Sequence, residues 1–322
     1  MKATVVIILL SLTSWGCCWG QSRFVPQPNY LRAKALAIAL TMEARDSIDY
    51  ARVAATYDSV FALVGDRAVP KDRYDAGRAW AEAGQKERAW ADWLKAVRKD
   101  GFIDDFGTAT REAKMLEMDK DSRWNEFWAG VLANQAKKDS VGNPGLMDSL
   151  ETVFHRDQDQ RLLIDSVQKQ FGFSSEQLKN LWKSIASNDS ANLVFVNSVV
   201  ARYGWPGPDI VGRKGDLALF MVIQHADSAT QVRYLPILKE VARTGGVEYS
   251  ELSMLEDRIL MKQGQKQIYG SQLRTDPQTG KQTFYPIADE ANVDERRASM
   301  GLMPLHYYAK LFGIDYTLPA KQ

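Results

Sequence analysis

The sequence predicts a mainly α protein: helical hairpins in the first half, then an α-helical domain carrying one β-hairpin. Three observations predict it. Between Tyr30 and Val64, Ala, Leu and charged residues alternate with apolar positions at helical spacing, as at Leu36, Leu40 and Ala44. Leu217 to Ile223 is apolar on every side and rich in Ala, Leu and Met, which favours a buried central helix over a strand. Asp276-Pro277-Gln278-Thr279-Gly280 is hairpin-turn chemistry between two short β-compatible runs, 267–275 and 281–286.

The 322 residues are enough for two domains, and 45% hydrophobic with 25% charged residues is ordinary for a chain with a real core. A net charge of +1 argues against nucleic acid as a partner. Residues 1–20 read as a signal peptide rather than fold. Lys2 is a positive n-region and Ala3 to Leu12 an apolar h-region too short to anchor in a bilayer. Cys18 and Gly20 are the small residues before a cleavage site at Gln21, so the chain is expected to be exported, periplasmic or secreted. The alternative is a lipoprotein, with Cys17 or Cys18 carrying the lipid and the membrane as a partner; Trp15 fits a lipobox poorly. Both cysteines lie in this segment, so the mature chain has no disulfide, thiol nucleophile or thiolate metal site.

Tyr30 to Ser47 and Tyr50 to Val64 are the first two helices. The stretch from Tyr74 to Ala96 then sets a small residue at Gly77, an aromatic at Trp80, a turn glycine at Gly84, and Ala89, Trp93 and Ala96 beyond it. This pattern resembles one tetratricopeptide repeat. Gly77 and Ala89 let two helices approach, and Trp93 fills the space between hairpins. The resemblance implies a peptide or protein partner on a concave face. Trp124, Phe127 and Trp128 are expected to pack on that hairpin, with stacking on a sugar or peptide as the functional alternative. Val141-Gly142-Asn143-Pro144-Gly145 breaks the chain, dividing a repeat-like region, 21–140, from a second domain, 146–322.

The second domain is predicted to open with one helix from Leu146 to Phe171, on which Asp157 and Arg161 share a face as a surface pair. Ser174 and Gln177 form a capping box for the next helix, which Asn188-Asp189-Ser190 interrupts. Gly204 stops the helix that reaches Tyr203, and Pro206 and Pro208 keep the chain extended. Gly212-Arg213-Lys214-Gly215 lacks the spacing of a phosphate loop and reads as a solvated turn. The buried run Leu217 to Ile223 then delivers Gln224-His225-Ala226-Asp227, with Asp227 as N-cap of a helix over 231–243. A helix over 251–261 carries Glu256-Asp257-Arg258, and Tyr269-Gly270-Ser271-Gln272 lies on the first arm of the hairpin. Asn292 to Glu295 forms a capping box, and Pro304 starts the last helix.

From Asp157-Gln158-x-x-Arg161 through Tyr203-Gly204-Trp205-Pro206, Val211-Gly212, Gln224-His225-Ala226-Asp227, Asp257-Arg258, Tyr269-Gly270-Ser271-Gln272, Val293-Asp294-x-Arg296-Arg297 and Gly301-Leu302-x-Pro304-Leu305, the second half resembles a bacterial domain family of unknown function. The motifs span residues 150 to 308, and the family's N-terminal partner is often helical-repeat sequence. The resemblance implies a shared fold and a shared site, and no activity.

Two functions follow as expectations. The leading one is a binding or structural module, its His, Asp and Arg residues forming a buried network that fixes the hairpin against helices. The alternative is a hydrolase or lyase acting on a small or glycan-like substrate. There His225 is the acid/base, Asp227 or Asp257 orients it, and Arg258, Arg296 and Arg297 hold an anionic group. Gln224, Gln272 and Trp205 complete the binding set. A metal centre of His225, Asp227 and His306 has no recognised spacing, so no metal or cofactor is expected.

Overall fold

The computed structural model describes residues 26–104, 107–276 and 279–320. The predicted leader, with Cys17 and Cys18, lies outside them. Among the described residues no helix is long and apolar enough to cross a membrane. The architecture is mainly helical with one two-stranded antiparallel sheet.

Four helices run in succession in the first half: α1 (Pro28–Glu43), α2 (Ser47–Leu63), α3 (Pro70–Glu82) and α4 (Lys86–Lys95), the last extended by a π turn over Ala96–Asp100. Each packs on the next. Asp46 caps α2 by accepting from the amides of Ile48 and Asp49. The α3–α4 contact depends on a missing side chain: a Cβ on Gly77 would lie 2.3 Å from the Trp93 ring. The indole therefore packs on bare backbone, fully buried, and donates to the Tyr74 carbonyl at 3.0 Å. Gly84 turns α3 into α4 with φ 74°.

After α5 (Ala109–Met115), α6 (Arg123–Val141) brings Phe127 against this hairpin. Phe127 is fully buried within 6.3 Å of the Tyr74, Trp93 and Phe102 rings, so the aromatic cluster of α6 is core packing.

The second half begins at the predicted break with α7 (Pro144–Gln158), where the Asn143 side chain accepts from the Leu146 amide. The single helix expected to Phe171 is interrupted. A 3-10 turn, Arg161–Leu163, separates α7 from α8 (Ile164–Phe171), because the Arg161 guanidinium folds back onto the Asp157 carbonyl at 2.6 Å. Helix α9 (Glu176–Tyr203) is capped by Ser175 rather than Ser174, and it runs unbroken through Asn188-Asp189-Ser190. Those polar side chains find partners without leaving the helix: Ser190 bonds the Ala186 carbonyl, and Asp189 takes Arg161.

Helix α10 (Pro208–His225) absorbs the glycine-rich stretch expected as a solvated turn. Its one non-helical residue is Gly212, at φ 72° and ψ 166°. Val211 and Gly215 on either side are buried, the latter close to Leu150 of α7. Leu219, Phe220 and Ile223 form the centre of the second core, between α7, α9, α11 (Ser228–Arg243) and α12 (Tyr249–Lys262). Strands β1 (Leu273–Thr275) and β2 (Gln282–Phe284) pair antiparallel, Leu273 opposite Phe284. The chain ends in α13 (Val293–Ser299) and α14 (Leu305–Leu311). Asn292 makes no cap, since its amide goes to Asp289; Asp294 instead accepts from the Leu305 amide at 2.7 Å and ties α13 to α14. Helix α13 lies against α1, where Gly301 meets Leu31, so the two halves touch.

Candidate functional site

The buried face of α10 fixes that helix, and its last residue is His225. The ring Nδ1 lies 3.0 Å from the carboxylate of Asp157, a fully buried residue in the last turn of α7. Arg161 stands 3.4 Å from the same carboxylate and bonds both oxygens of Asp189 on α9 at 2.9 Å. Burial raises the Asp157 pKa, but the hydrogen bond and charge of His225 and the charge of Arg161 outweigh it, and the net shift is downward. Among the described residues the ring Nε2 of His225 has no hydrogen-bond partner, and the side chain keeps 15% of its surface exposed.

Arg258 on α12 lies within electrostatic reach of Arg161. Among the described residues it makes no hydrogen bond or ion pair, and its Nε is buried without a partner. Burial, then the positive charge of Arg161, lower its pKa. One turn along α12, Lys262 donates to the Ala226 carbonyl at 3.0 Å, and burial and the charge of Arg258 lower it in turn. Arg161 thus holds two carboxylates, Asp157 and Asp189, its charge reaches Arg258, and that of Arg258 reaches Lys262, which Asp227 partly offsets.

Ligand atoms of Asp157, Asp189 and His225 lie within 4.8 Å of one another, a spacing a metal ion would accept. Arg161 already engages both carboxylates, however, so a cation there would have to displace an arginine. The donor set suits a charge network facing an anion better than a metal centre. Asp227 and His306 have other partners: Asp227 caps α11 on the Thr230 amide at 2.9 Å, with its charge reaching Lys262, and the His306 ring lies tilted against Tyr307 at 3.8 Å.

A second network gathers the remaining residues of the predicted site. Asp257, fully buried, accepts backbone N–H groups of Ile268 at 2.6 Å, Tyr269 at 3.0 Å and Ser271 at 2.9 Å. Arg296 donates to the Ile268 carbonyl at 2.9 Å and Arg297 to that of Tyr269 at 2.6 Å. Burial lowers the Arg297 pKa to about 10. The Gln267 side chain bridges the Gln272 amide and the Tyr285 carbonyl. Gln224 and Gln272 both donate to the Met254 carbonyl, at 3.4 and 3.3 Å.

A model of the family of unknown function DUF6624 matches residues 149–321. The chain belongs to this family. No curated protein and no solved structure matches it.

Within the DUF6624 region, then, the predicted residues separate into groups. His225 joins Asp157, Arg161 and Asp189 in one network, and Arg258 and Lys262 couple to it through the charge of Arg161 and the Ala226 carbonyl. Asp257, Gln272, Arg296 and Arg297 converge on the loop 267–272 and hold it to α12 and α13, and Gln224 joins them through Met254. Trp205 is separate from both: its indole donates to the buried Asp216 at 3.3 Å and holds the turn before α10. Sequence reasoning had Asp157 and Arg161 as a surface pair and gave Asp189 and Lys262 no role. The four-residue spacing from Asp157 to Arg161 is the available signal; the partner of Asp157, 68 residues away, is not visible in it.

Proposed function

We propose that the DUF6624 domain is a recognition module that binds a small anionic ligand, a carboxylate or phosphate, between Arg258, Arg161, Lys262 and His225. The observation that carries this reading is Arg258. Its side chain is half-buried with no counter-ion among the described residues and its Nε is fully buried and unpaired, which is costly, and a planar bidentate anion is what its donors match. The repeat-like helices α1 to α4 would hold a peptide or protein partner; the close Gly77–Trp93 contact supports this part. Export rests on the leader-like residues 1–20, and an intact mass beginning at Gln21 in protein from the native envelope is its check.

The binding test is a titration with inorganic phosphate, sulfate and succinate. Wild type should gain melting temperature with one of them, by the mass-action stabilisation of a bound ligand. Arg258→Leu should melt at or above wild type without anion, since an unpaired buried charge is removed, and should lose the response. A wild type indifferent to all three anions at tens of millimolar, or an Arg258→Leu variant that responds equally, would sink the reading.

The hydrolase or lyase reading has one observation in its favour. Asp157 holds Nδ1 of His225 while Nε2 is left for a ligand, the orientation that a general acid/base needs. His225→Gln keeps a hydrogen-bonding group and cannot titrate near neutrality. Under this reading the variant still binds the anion and turns over no substrate; a variant as active as wild type removes it.

A further inference from the structure

Away from the Arg258 recess, α8, the start of α9, the β-hairpin and the segment after α14 enclose a cleft of about 980 Å³. Three large rings from three different segments line it: Phe173, Trp182 and Phe312, exposed by 38%, 47% and 39%. None of the three rings stacks on another, although Phe312 packs edge-on to Tyr308 at 5.0 Å. The hairpin tip leans on Phe173, where a Cβ on Gly280 would lie 3.5 Å from the ring. Helix α8 buries no residue and packs on α9, so it stands at the cleft as a wall rather than as core. Apolar rings left in water cost free energy roughly in proportion to their exposed area. Three of them around one cavity are the chemistry of a binding site rather than of an ordinary surface.

The polar half of the lining defines the ligand. The side chains of Asp165, Gln168, Lys169, Lys281 and Asp315 border the cleft and make no hydrogen bond or ion pair among the described residues. Two acids and two lysines cancel, so the cleft selects for neither sign of charge. A purely apolar occupant would strip water from these groups and return no hydrogen bond, which disfavours it for each group buried unpaired. An occupant with hydroxyl groups around apolar C–H faces would satisfy them and lie against the rings at once.

We propose that this cleft binds an uncharged saccharide, with the Trp182 ring as its stacking platform and Asp165, Gln168 and Asp315 as partners for its hydroxyls. The site is independent of the anion recess, whose residues do not line it.

The test is calorimetry of the full mature chain with three neutral oligosaccharides, cellohexaose, maltohexaose and chitohexaose, and with an apolar peptide of similar length. At least one sugar should bind, and Trp182→Ala and Phe312→Ala should each weaken it at least about tenfold, or about 1.4 kcal/mol. Both rings are half-exposed, so both variants should melt near wild type, and Arg258→Leu should bind the sugar unchanged. No binding of any of the three sugars, sugar binding that survives both ring variants, or binding of the peptide alone overturns the proposal.

Discussion

Asp257 and Arg258 are chain neighbours on α12 with opposite surroundings. One carboxylate accepts from three backbone amides, while the adjacent guanidinium has no partner at all among the described residues. Adjacent helical residues point about 100° apart, so one of the two neighbours anchors a loop while the other is left half-buried without a counter-ion. Asp257→Asn tests the anchor. The amide keeps one acceptor oxygen and turns an NH₂ toward donors, so unfolding in urea should show a loss of about 2–4 kcal/mol. A loss under ~1 kcal/mol would mean that the loop 267–272 does not depend on this carboxylate. Residue types alone brought His225, Asp257 and the arginines into view, because His, Asp and Arg are rarely placed beside apolar runs without a partner. Which of them share a site depends on contacts such as His225 with Asp157, between helices far apart in the chain, and no local spacing encodes that.

Elements were readable where chemistry is local. The buried run of α10, the Gly84 turn, the Asp227 cap and the β-hairpin all follow from side chains within a few residues. They were misread where a distant partner decides. The end of α7 is set partly by Arg161, and the persistence of α9 by Asp189 finding that same arginine instead of its own backbone. Gly212 is the clearest case. Read with Arg213, Lys214 and Gly215 it looked like a solvated turn, yet it is a buried bend inside a helix. Its φ of 72° with ψ of 166° belongs to a region that is essentially glycine's alone. The bend directs Val211 inward and leaves the Ile210 carbonyl to accept from the Asn143 amide at 2.9 Å, joining α10 to the α6–α7 turn. Gly212→Ala should therefore cost about 1–3 kcal/mol through backbone strain, although the nearest side-chain atoms, on Lys138 and Met147, are 3.4 Å from the added methyl. A variant as stable as wild type in urea would show that the bend tolerates a helical residue.

On the scale of the whole molecule, the two cores respond to pH with opposite signs. In the second, Asp157 has a lowered pKa, so its stabilising contribution is present above the unfolded value near 3.8 and is lost as pH falls below it. In the first, Arg73 is buried among Asp66, Asp92 and Asp100, and Asp92 has its pKa raised to about 7, chiefly by burial and then by the charge of Asp58. The folded chain then holds a proton that the unfolded chain releases near pH 3.8, so this group's contribution declines as pH rises from about 4 to about 7 and levels off above. The shift corresponds to about 4 kcal/mol at most. Wild type should lose about 2–3 kcal/mol between pH 5 and pH 8 in urea melts that follow the tryptophans of α4, the helix that carries Asp92. Asp92→Asn, which keeps the volume and cannot ionise, should flatten that slope and be the more stable chain at pH 8. Arg73 retains Asp66 and Asp100 in the variant, so the loss of one weak partner at 3.7 Å does not strand its charge. An unchanged slope would place the pH response elsewhere in the cluster, with Asp58, whose pKa burial also raises, as the group to replace next.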